Sequence, residues 1–406
     1  MKIAMLADFY PPLNRGGAGV VAQRLARAFS AQGHRILIVA SAQSPGAAGR
    51  QNDGDIEIVR LPLSYPERLR NVLGIHNPAA SRLVRRELAR FGPDLVHAHN
   101  VHRFLSFGSL GAAPPGTPVV LTSHDYLMFC CDRLQCTGGP RDFKPRQLAC
   151  LRFQRLRYNP ARRALIRRLA SGSVHAIIAI SDVMRRALET NGFRGVTTIH
   201  NGLDPEEWPF REPSRRRSGQ DGGARPVALL PGRLSSYKGT AALLDAVALL
   251  PPGARPTVVF AGDNPRYEPE LLARARRLGI ADLVRITGWL DPGAMSAELA
   301  AADVVVTPST YPDPFNLGNI EAMSTGRPVI ASSLGGAPEI VVEGDTGFLV
   351  DPGDPELFAR RLALLLEDPD LRRAYGDAGR RRVLQRFTLE RQAESTMQVY
   401  EKALGR

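Results

Sequence analysis

The chain has 406 residues, 44% of them hydrophobic and 23% charged, and a formal net charge of +13. That length is too great for one ordinary core and implies two domains of roughly 200 residues, each able to bury its own. No run of about 18 apolar residues occurs, which excludes a membrane-spanning helix.

In chain order, residues 1–7 begin with a basic side chain, but Asp8 ends the apolar run before a signal-peptide core can form. Residues 3–7 therefore read as a first buried strand, and the protein is expected to be cytoplasmic. A helix is expected over 19–30, strands over 34–40 and 56–61, a helix over 81–91 and a strand over 94–98. Further short apolar runs follow at 119–122, 176–180 and 196–200. Short buried strands separated by helices imply a parallel, doubly wound sheet.

Between residues 204 and 225 the character changes to prolines, glycines and the arginine run 215–217, which reads as a linker. A second alternating set then starts, with strands at 227–230, 258–260, 284–286, 304–306 and 329–331. The expected organisation is a Rossmann-like domain over 1–205, a linker over 206–225 and a second Rossmann-like domain over 226–387. A final helix over 388–404 is expected to pack back on the first domain. Two such domains are expected to bind ligand in a cleft at the carboxyl ends of their strands.

Much of the positive charge lies within residues 141–168, where Lys144, Arg146, Arg152, Arg155, Arg157, Arg162, Arg163 and Arg167 face one acid, Asp142. Three readings fit: nucleic acid, anionic lipid headgroups or a phosphorylated acceptor, and a solvated arginine-rich surface. The nucleic-acid reading is set aside, because no recognition motif and little aromatic interleaving accompany the charge. All four cysteines, Cys130, Cys131, Cys136 and Cys150, fall in the same region. Four thiolates complete a zinc tetrahedron, but the adjacent pair Cys130–Cys131 spaces poorly for one, so free thiols are the expectation.

Three stretches carry candidate chemistry. Gly16 and Gly17 follow the first strand and lower the backbone wall before a helix, although the dinucleotide fingerprint is absent. Arg233 and Lys238 sit on the loop after the first strand of the second domain, where a diphosphate would lie. A guanidinium fork and an ammonium can neutralise a departing diphosphate without a metal ion. Asp313 and Glu321 are eight residues apart; prolines 312 and 314 place Asp313 in a loop, and Glu321 falls in the first turns of a helix. The amides of residues 315–319 between them are expected at that helix N-terminus. Such a cradle, flanked by hydroxyl-accepting carboxylates, suits a sugar joined to a phosphate.

His124 ends a first-domain strand and is a candidate for binding hydroxyls or accepting a proton. His97, His99 and His102 read as strand-end packing and loop polar groups rather than metal ligands. The DxD-like triplets at Asp53–Asp55 and Asp368–Asp370 fall in polar connecting segments, so a metal-binding DxD is not expected.

With these residues assembled, the chain resembles the retaining glycosyltransferase family four, of GT-B fold. The resemblance covers almost the whole chain and is most specific in its second half: Gly-Arg-Leu-x3-Lys-Gly at 232–239, Ala-Gly-Asp at 261–263, and Gly-Trp-Leu at 288–290. It continues with Glu-Ala-Met-x2-Gly-x-Pro-Val-Ile at 321–330, Gly-Gly-Ala-Pro-Glu at 335–339 and Gly-Phe-Leu-Val at 347–350. Weaker matches in the first half are Gly16–Gly17, Gly33–His34, Thr-Ser-His-Asp at 122–125 and His-Asn-Gly-Leu-Asp at 200–204.

The resemblance implies that Arg233 and Lys238 hold the donor diphosphate and that Glu321 holds the nucleotide ribose. It implies that the amides of Asn316, Leu317 and Gly318 meet sugar and phosphate, that His124 meets the distal sugar hydroxyls, and that Trp289 and Leu290 face the base. Gly16, Gly17 and Phe315 join this donor-binding set, and Arg233, Lys238, His124 and Asp313 are the catalytic set. The family's Glu-x7-Glu is here Asp313-x7-Glu321, and its Phe-Gly-Leu is Phe315-Asn316-Leu317, which implies altered sugar selection. The expected enzyme is a metal-independent, retaining transferase without a cofactor, using a nucleotide-diphosphate sugar and a glycan or lipid-linked acceptor. Its expected setting is cell-envelope polysaccharide or glycolipid synthesis, peripheral on the inner face of an anionic membrane. A catalytically silent sugar-nucleotide sensor or scaffold is the alternative.

Overall fold

A computed structural model of the chain describes residues 1–13, 16–42, 45–131, 134, 143–154, 158–212 and 225–406. Two compact units divide it: residues 1–201 with 389–406, and residues 202–388. Among the described residues no helix is long and apolar enough to cross a membrane.

The strands of the first unit are β1 (Lys2–Ala7), β2 (Arg35–Ser41), β3 (Gly49–Asp53), β4 (Ile56–Leu61), β5 (Leu95–His99), β6 (Val119–Ser123), β7 (Ala176–Ala179) and β8 (Val196–Thr198). They form one sheet in the order β3-β4-β2-β1-β5-β6-β7-β8. Every pairing is parallel except that of the edge strand β3, which runs antiparallel to β4. The central strands are buried on both faces, which is why β1 reads as an unbroken apolar run rather than an alternating one. Helix Pro78–Phe91 shows the local logic: Asn77 caps its N-terminus by accepting from the Ala80 amide, and Gly92 ends it in the left-handed region at φ 63°. The C-terminal helix Leu389–Ala403 belongs to this unit. It buries Tyr400 completely, with that ring 5.5 Å from Phe29 and its hydroxyl 2.6 Å from His97 Nδ1.

The second unit holds β9 (Val227–Pro231), β10 (Thr257–Ala261), β11 (Val284–Ile286), β12 (Val304–Thr307), β13 (Val329–Ser332) and β14 (Gly347–Val350). Their order is β11-β10-β9-β12-β13-β14, all parallel. Strand order reverses between β9 and β12, and ligands of open α/β sheets bind at the carboxyl ends of strands beside such a reversal. The two parallel α/β units are those of the GT-B fold.

Residues 202–212, where the expected linker begins, are fastened to this second unit. Ser324 Oγ donates to the Trp208 carbonyl at 2.9 Å, and Arg380 donates to the same oxygen at 3.1 Å. Fully buried Arg327 donates to the carbonyls of Ala302 and Arg211. Burial pulls its guanidinium down to about 10, opposed by Asp303. The rest of that stretch, 213–224, lies outside the described residues.

Candidate functional site

The geometry of the second unit's reversal point is set by four glycines. Gly232 leaves β9 at φ 105°, and its carbonyl oxygen occupies the space that a Cβ on Gly262 would need. The short turn Ser236–Lys238 ends at Gly239, φ 77°, where a Cβ would overlap the Pro308 carbonyl. The loop after β9 therefore rests directly on the backbone that leaves β12, an approach only glycine permits. On the other side, Gly335 (φ 70°) presses against the backbone of Asp313, whose carbonyl accepts from the Gly336 amide at 2.8 Å.

This packing brings together residues 75 positions apart: Lys238 Nζ donates to Asp313 Oδ2 at 2.6 Å. The Lys238 and Asp313 side chains are 21% and 11% exposed, so the pair lies at the edge of solvent. Lys238 also lies 5.9 Å from the centroid of the Tyr311 ring, which packs edge-on against Tyr237. Arg233 projects exposed from the same loop.

Helix Leu317–Ser324 begins at the expected place, with Asn316 as its cap. Asn316 Oδ1 accepts from the Gly318 amide at 3.1 Å, and the Asn316 carbonyl accepts from the Asn319 amide at 3.1 Å. A ligand reaching for the Gly318 amide must therefore displace a side chain of the protein itself. Phe315 is buried with its ring 6.0 Å from Phe387, and Leu317 is half-buried. Glu321 lies half-buried on the second turn of the helix. Asn319 is fully buried; its Oδ1 accepts from Thr307 Oγ1 at 2.6 Å, which ties the helix to the end of β12. Trp289 and Leu290 follow β11, two strands from β9, and Trp289 is 46% exposed.

In the first unit His124 follows β6 and belongs to a stack of imidazoles. His124 Nε2 and His99 Nδ1 are 2.9 Å apart, and the His97 ring lies 4.0 Å from that of His99. His97 is held in turn by Tyr400 and by Thr122 Oγ1 at 2.7 Å. Burial pushes His97 down to about 3, His124 to about 4 and His99 well below the usual range, each opposed to carrying charge beside its neighbours. His124 is thus a neutral imidazole near pH 7, suited to hydrogen bonding rather than to cationic catalysis. His102 Nδ1 lies 3.9 Å from Asp125. The pairing of His99 with His124 was not visible in the sequence, because β5 and β6 become neighbours only in the sheet.

Gly16 caps helix Gly17–Ala31 in extended backbone, and Gly17 is exposed. The tight approach in this turn occurs at Gly19, where a Cβ would collide with the Phe9 carbonyl. The structure adds Asp8, fully buried at the end of β1, whose carboxylate accepts from the amides of Arg103 (2.5 Å) and Leu105 (2.7 Å). Burial raises it to about 7 against the pull of those amides. Its signal was available: an acid directly after a buried strand needs donors.

Among the described residues no group of three or more His, Cys, Asp or Glu side chains could hold a metal ion. Cys130, Cys131 and Cys150 form no disulfide, and Cys136 lies outside the described residues, as do Asp142, Arg155 and Arg157.

The chain matches the family model "Glycosyltransferase Family 4" over residues 15–207 and "Glycosyl transferases group 1" over residues 211–382. The alpha-maltose-1-phosphate synthase of Mycobacterium tuberculosis is 31% identical over 430 residues, covering 99% of each protein. The glycogen synthase of the same organism is 28% identical over 425 residues, covering 98% of this chain and 94% of that one. A sucrose-phosphate synthase structure from Thermosynechococcus elongatus superposes with a TM-score of 0.80 at 22% identity, covering 100% of this chain and 99% of that one. Anabaena HepE, solved in complex with UDP-glucose, gives 0.71 at 22% identity, covering 99% and 100%. At these identities the two structures speak to fold.

Proposed function

We propose the following reaction for this chain, which belongs to the GT-B glycosyltransferases. It moves a sugar from a nucleotide-diphosphate sugar to an acceptor hydroxyl, with retention at the anomeric carbon and without a metal ion. The observation that carries this reading is the meeting of Lys238 with Asp313 at the β9–β12 reversal, 2.6 Å apart. A cation and a hydroxyl-accepting carboxylate at that point match the two ends of a glycosyl diphosphate.

In this reading the donor diphosphate draws Lys238 away from Asp313, and exposed Arg233 supplies a second cation. Asp313, so released, accepts from a sugar hydroxyl, and Glu321 accepts from the ribose. His124, in the first unit, offers a neutral imidazole suited to a hydroxyl partner. The acceptor oxygen bonds to the anomeric carbon on the face from which the diphosphate leaves. The bond from that carbon to the phosphate oxygen breaks, and the leaving oxygen takes the acceptor's proton, so no separate base is needed. Fixed cations stabilise the charge that develops on the diphosphate, the type of term that dominates such chemistry.

The acceptor class we favour is a cell-envelope glycan or glycolipid. The names of the curated relatives support polymer or sugar-phosphate products equally well. HepE's complex makes UDP-glucose the first donor to try. A thermal-shift panel of UDP-, GDP- and ADP-sugars tests donor binding, since a bound ligand stabilises in proportion to its affinity. No shift with any member rejects the donor site, and an inverted product by NMR rejects the mechanism.

A second reading, a silent sugar-nucleotide sensor, draws on the same loop: Lys238 and the Gly318 amide already have partners within the protein. Tight UDP binding with no donor consumption, hydrolysis included, selects it.

A further inference from the structure

A cavity of about 280 Å³ lies at the edge of the first unit, where the segments after β1 and β2 meet β3 and β4. Small residues leave it open. Positions 46–49 read Gly-Ala-Ala-Gly, and a Cβ added at Gly46 or Gly49 would meet nothing within 4 Å. Pro12 and the exposed Leu13 also line it. Its volume is close to the lower end for small-molecule sites.

The lining contains a buried cation, Arg60, near the end of β4 and only 5% exposed. Its Nη2 donates to the Pro11 carbonyl at 2.8 Å, but Nε is buried without an acceptor. Among the described residues no carboxylate pairs with it. The rest of the lining comes from residues 9–52, which contain no Asp or Glu. Burial pulls the guanidinium below its usual range, and the group that opposes this is the Tyr10 phenol. Tyr10 is itself buried, and its hydroxyl has no partner. Arg50, the other cation in the lining, is already paired with Glu57, and with Glu87 at 2.6 Å.

A buried charge is tolerated when it is paired. The fully buried arginines of the second unit follow that rule, since Arg327 and Arg372 share Asp303. Arg60 has an open hollow where its counter-ion should be. Water there can accept hydrogen bonds but cannot neutralise the charge. We propose that this hollow is an anion site for a sugar carrying a phosphate or carboxylate group. The oxyanion pairs with Arg60, and the body of the sugar fills the space left by residues 46–49. The inference goes beyond the proposed reaction and does not rest on it, because the site shares no residue with the loops of Arg233, Lys238 and Asp313.

The test is isothermal titration of the full chain with glucose 6-phosphate, glucuronate and inorganic phosphate, at ionic strength matched with chloride. Each is measured on the parent, Arg60→Gln, Arg233→Gln and Ala47→Phe, with circular dichroism and urea unfolding to report the fold. The sugar anions are expected to bind more tightly than inorganic phosphate. Arg60→Gln should weaken them about thirtyfold or more, the effect of removing one partner of a buried charge pair, and Arg233→Gln should leave them unchanged. Ala47→Phe keeps Arg60 but fills the hollow, so it should weaken the sugar anions and spare inorganic phosphate. Absence of binding by all three anions overturns the proposal. So does binding lost with Arg233→Gln rather than Arg60→Gln, which assigns it to the donor loop. Equal binding of phosphate and sugar anions, indifferent to Ala47→Phe, overturns it as well and leaves Arg60 with a free ion.

Discussion

The two units reverse strand order at the same place, beside their first strand: between β1 and β5 in one and between β9 and β12 in the other. What bridges the reversal differs. In the first unit Asp8 reaches from the end of β1 to two amides that follow β5, and its own side chain is fully buried. In the second unit the bridge is the Lys238–Asp313 ion pair, whose side chains keep contact with solvent. One topology thus carries a bridge that is structural and a bridge that a ligand can exchange. An incoming diphosphate can compete for Lys238, because an ammonium at the edge of water loses little in changing partners.

The largest expected effect breaks the second bridge. Lys238→Ala should lower donor turnover about 100- to 1000-fold, by analogy with removal of one preorganised donor, while the unfolding transition stays near that of the parent. Near-normal turnover with a verified donor would place the diphosphate elsewhere. The mirror experiment breaks the first bridge. Asp8→Ala leaves the Arg103 and Leu105 amides without their acceptor and should cost about 3 kcal/mol of stability, from the penalty of unsatisfied buried donors. Urea unfolding reads this. An unchanged midpoint would mean that the amides find water and that the bridge is not structural.

A pH series sharpens the contrast within the first unit, because its buried groups pull in opposite directions. His97 and His124 stay neutral in the fold down to about 3 and 4, whereas unfolded they protonate near 6.5. Below pH 6.5 the unfolded chain binds more protons, so their contribution is lost as pH falls toward 4. Asp8 runs the other way: raised to about 7 from its usual 3.8, it binds its proton in the fold first, so its contribution falls as pH rises from about 4 to 7. Stability measured from pH 4.5 to 7.5 should therefore fall more steeply with acid in Asp8→Asn than in the parent, and less steeply in His97→Gln. Parallel curves for all three would show that neither set of groups is perturbed.

These contrasts mark how far the sequence could be read. The central parallel strands were legible because they are buried on both faces and leave continuous apolar runs such as residues 227–230 and 304–306. Strand β3, Gly-Arg-Gln-Asn-Asp, was not: it is an exposed polar edge strand, held by antiparallel pairing to β4 and turned at Gly54, and no periodicity marks it. Strand β14 was noticed as a motif but not as a strand, being only four residues long and beginning with glycine. Within the candidate site, the loop bearing Lys238 was legible from its position after a strand, and the loop of Asp313 and the helix of Glu321 from prolines 312 and 314 and their spacing. That Lys238 and Asp313 would pair, or that Asn316 would occupy the Gly318 amide, depends on glycine-mediated backbone approach that spacing alone does not encode.

Asp313→Asn tests whether the second bridge restrains ligand binding. With the carboxylate neutralised, Lys238 is freed for phosphate, and UDP should bind several-fold more tightly, on the order of the coupling of one partly exposed ion pair. Transfer should nonetheless fall, because the amide no longer accepts from the sugar hydroxyl as strongly. Isothermal titration with UDP and a turnover assay separate the two. Weaker UDP binding would show that the aspartate organises the lysine rather than competing for it.

The smallest expected effect comes from Asn316→Gly and bears most directly on sugar choice. Replacing an asparagine cap by glycine costs only a few tenths of a kcal/mol, so the melting temperature should move by no more than about 1–2 °C. The change removes the side chain that occupies the Gly318 amide and opens the space it filled at the helix N-terminus. If Asn316 selects the sugar, the variant should accept donor sugars that the parent refuses, with UDP affinity nearly unchanged. If the ranking of sugars in the panel is the same for both proteins, Asn316 is a cap and nothing more, and selection rests with Asp313.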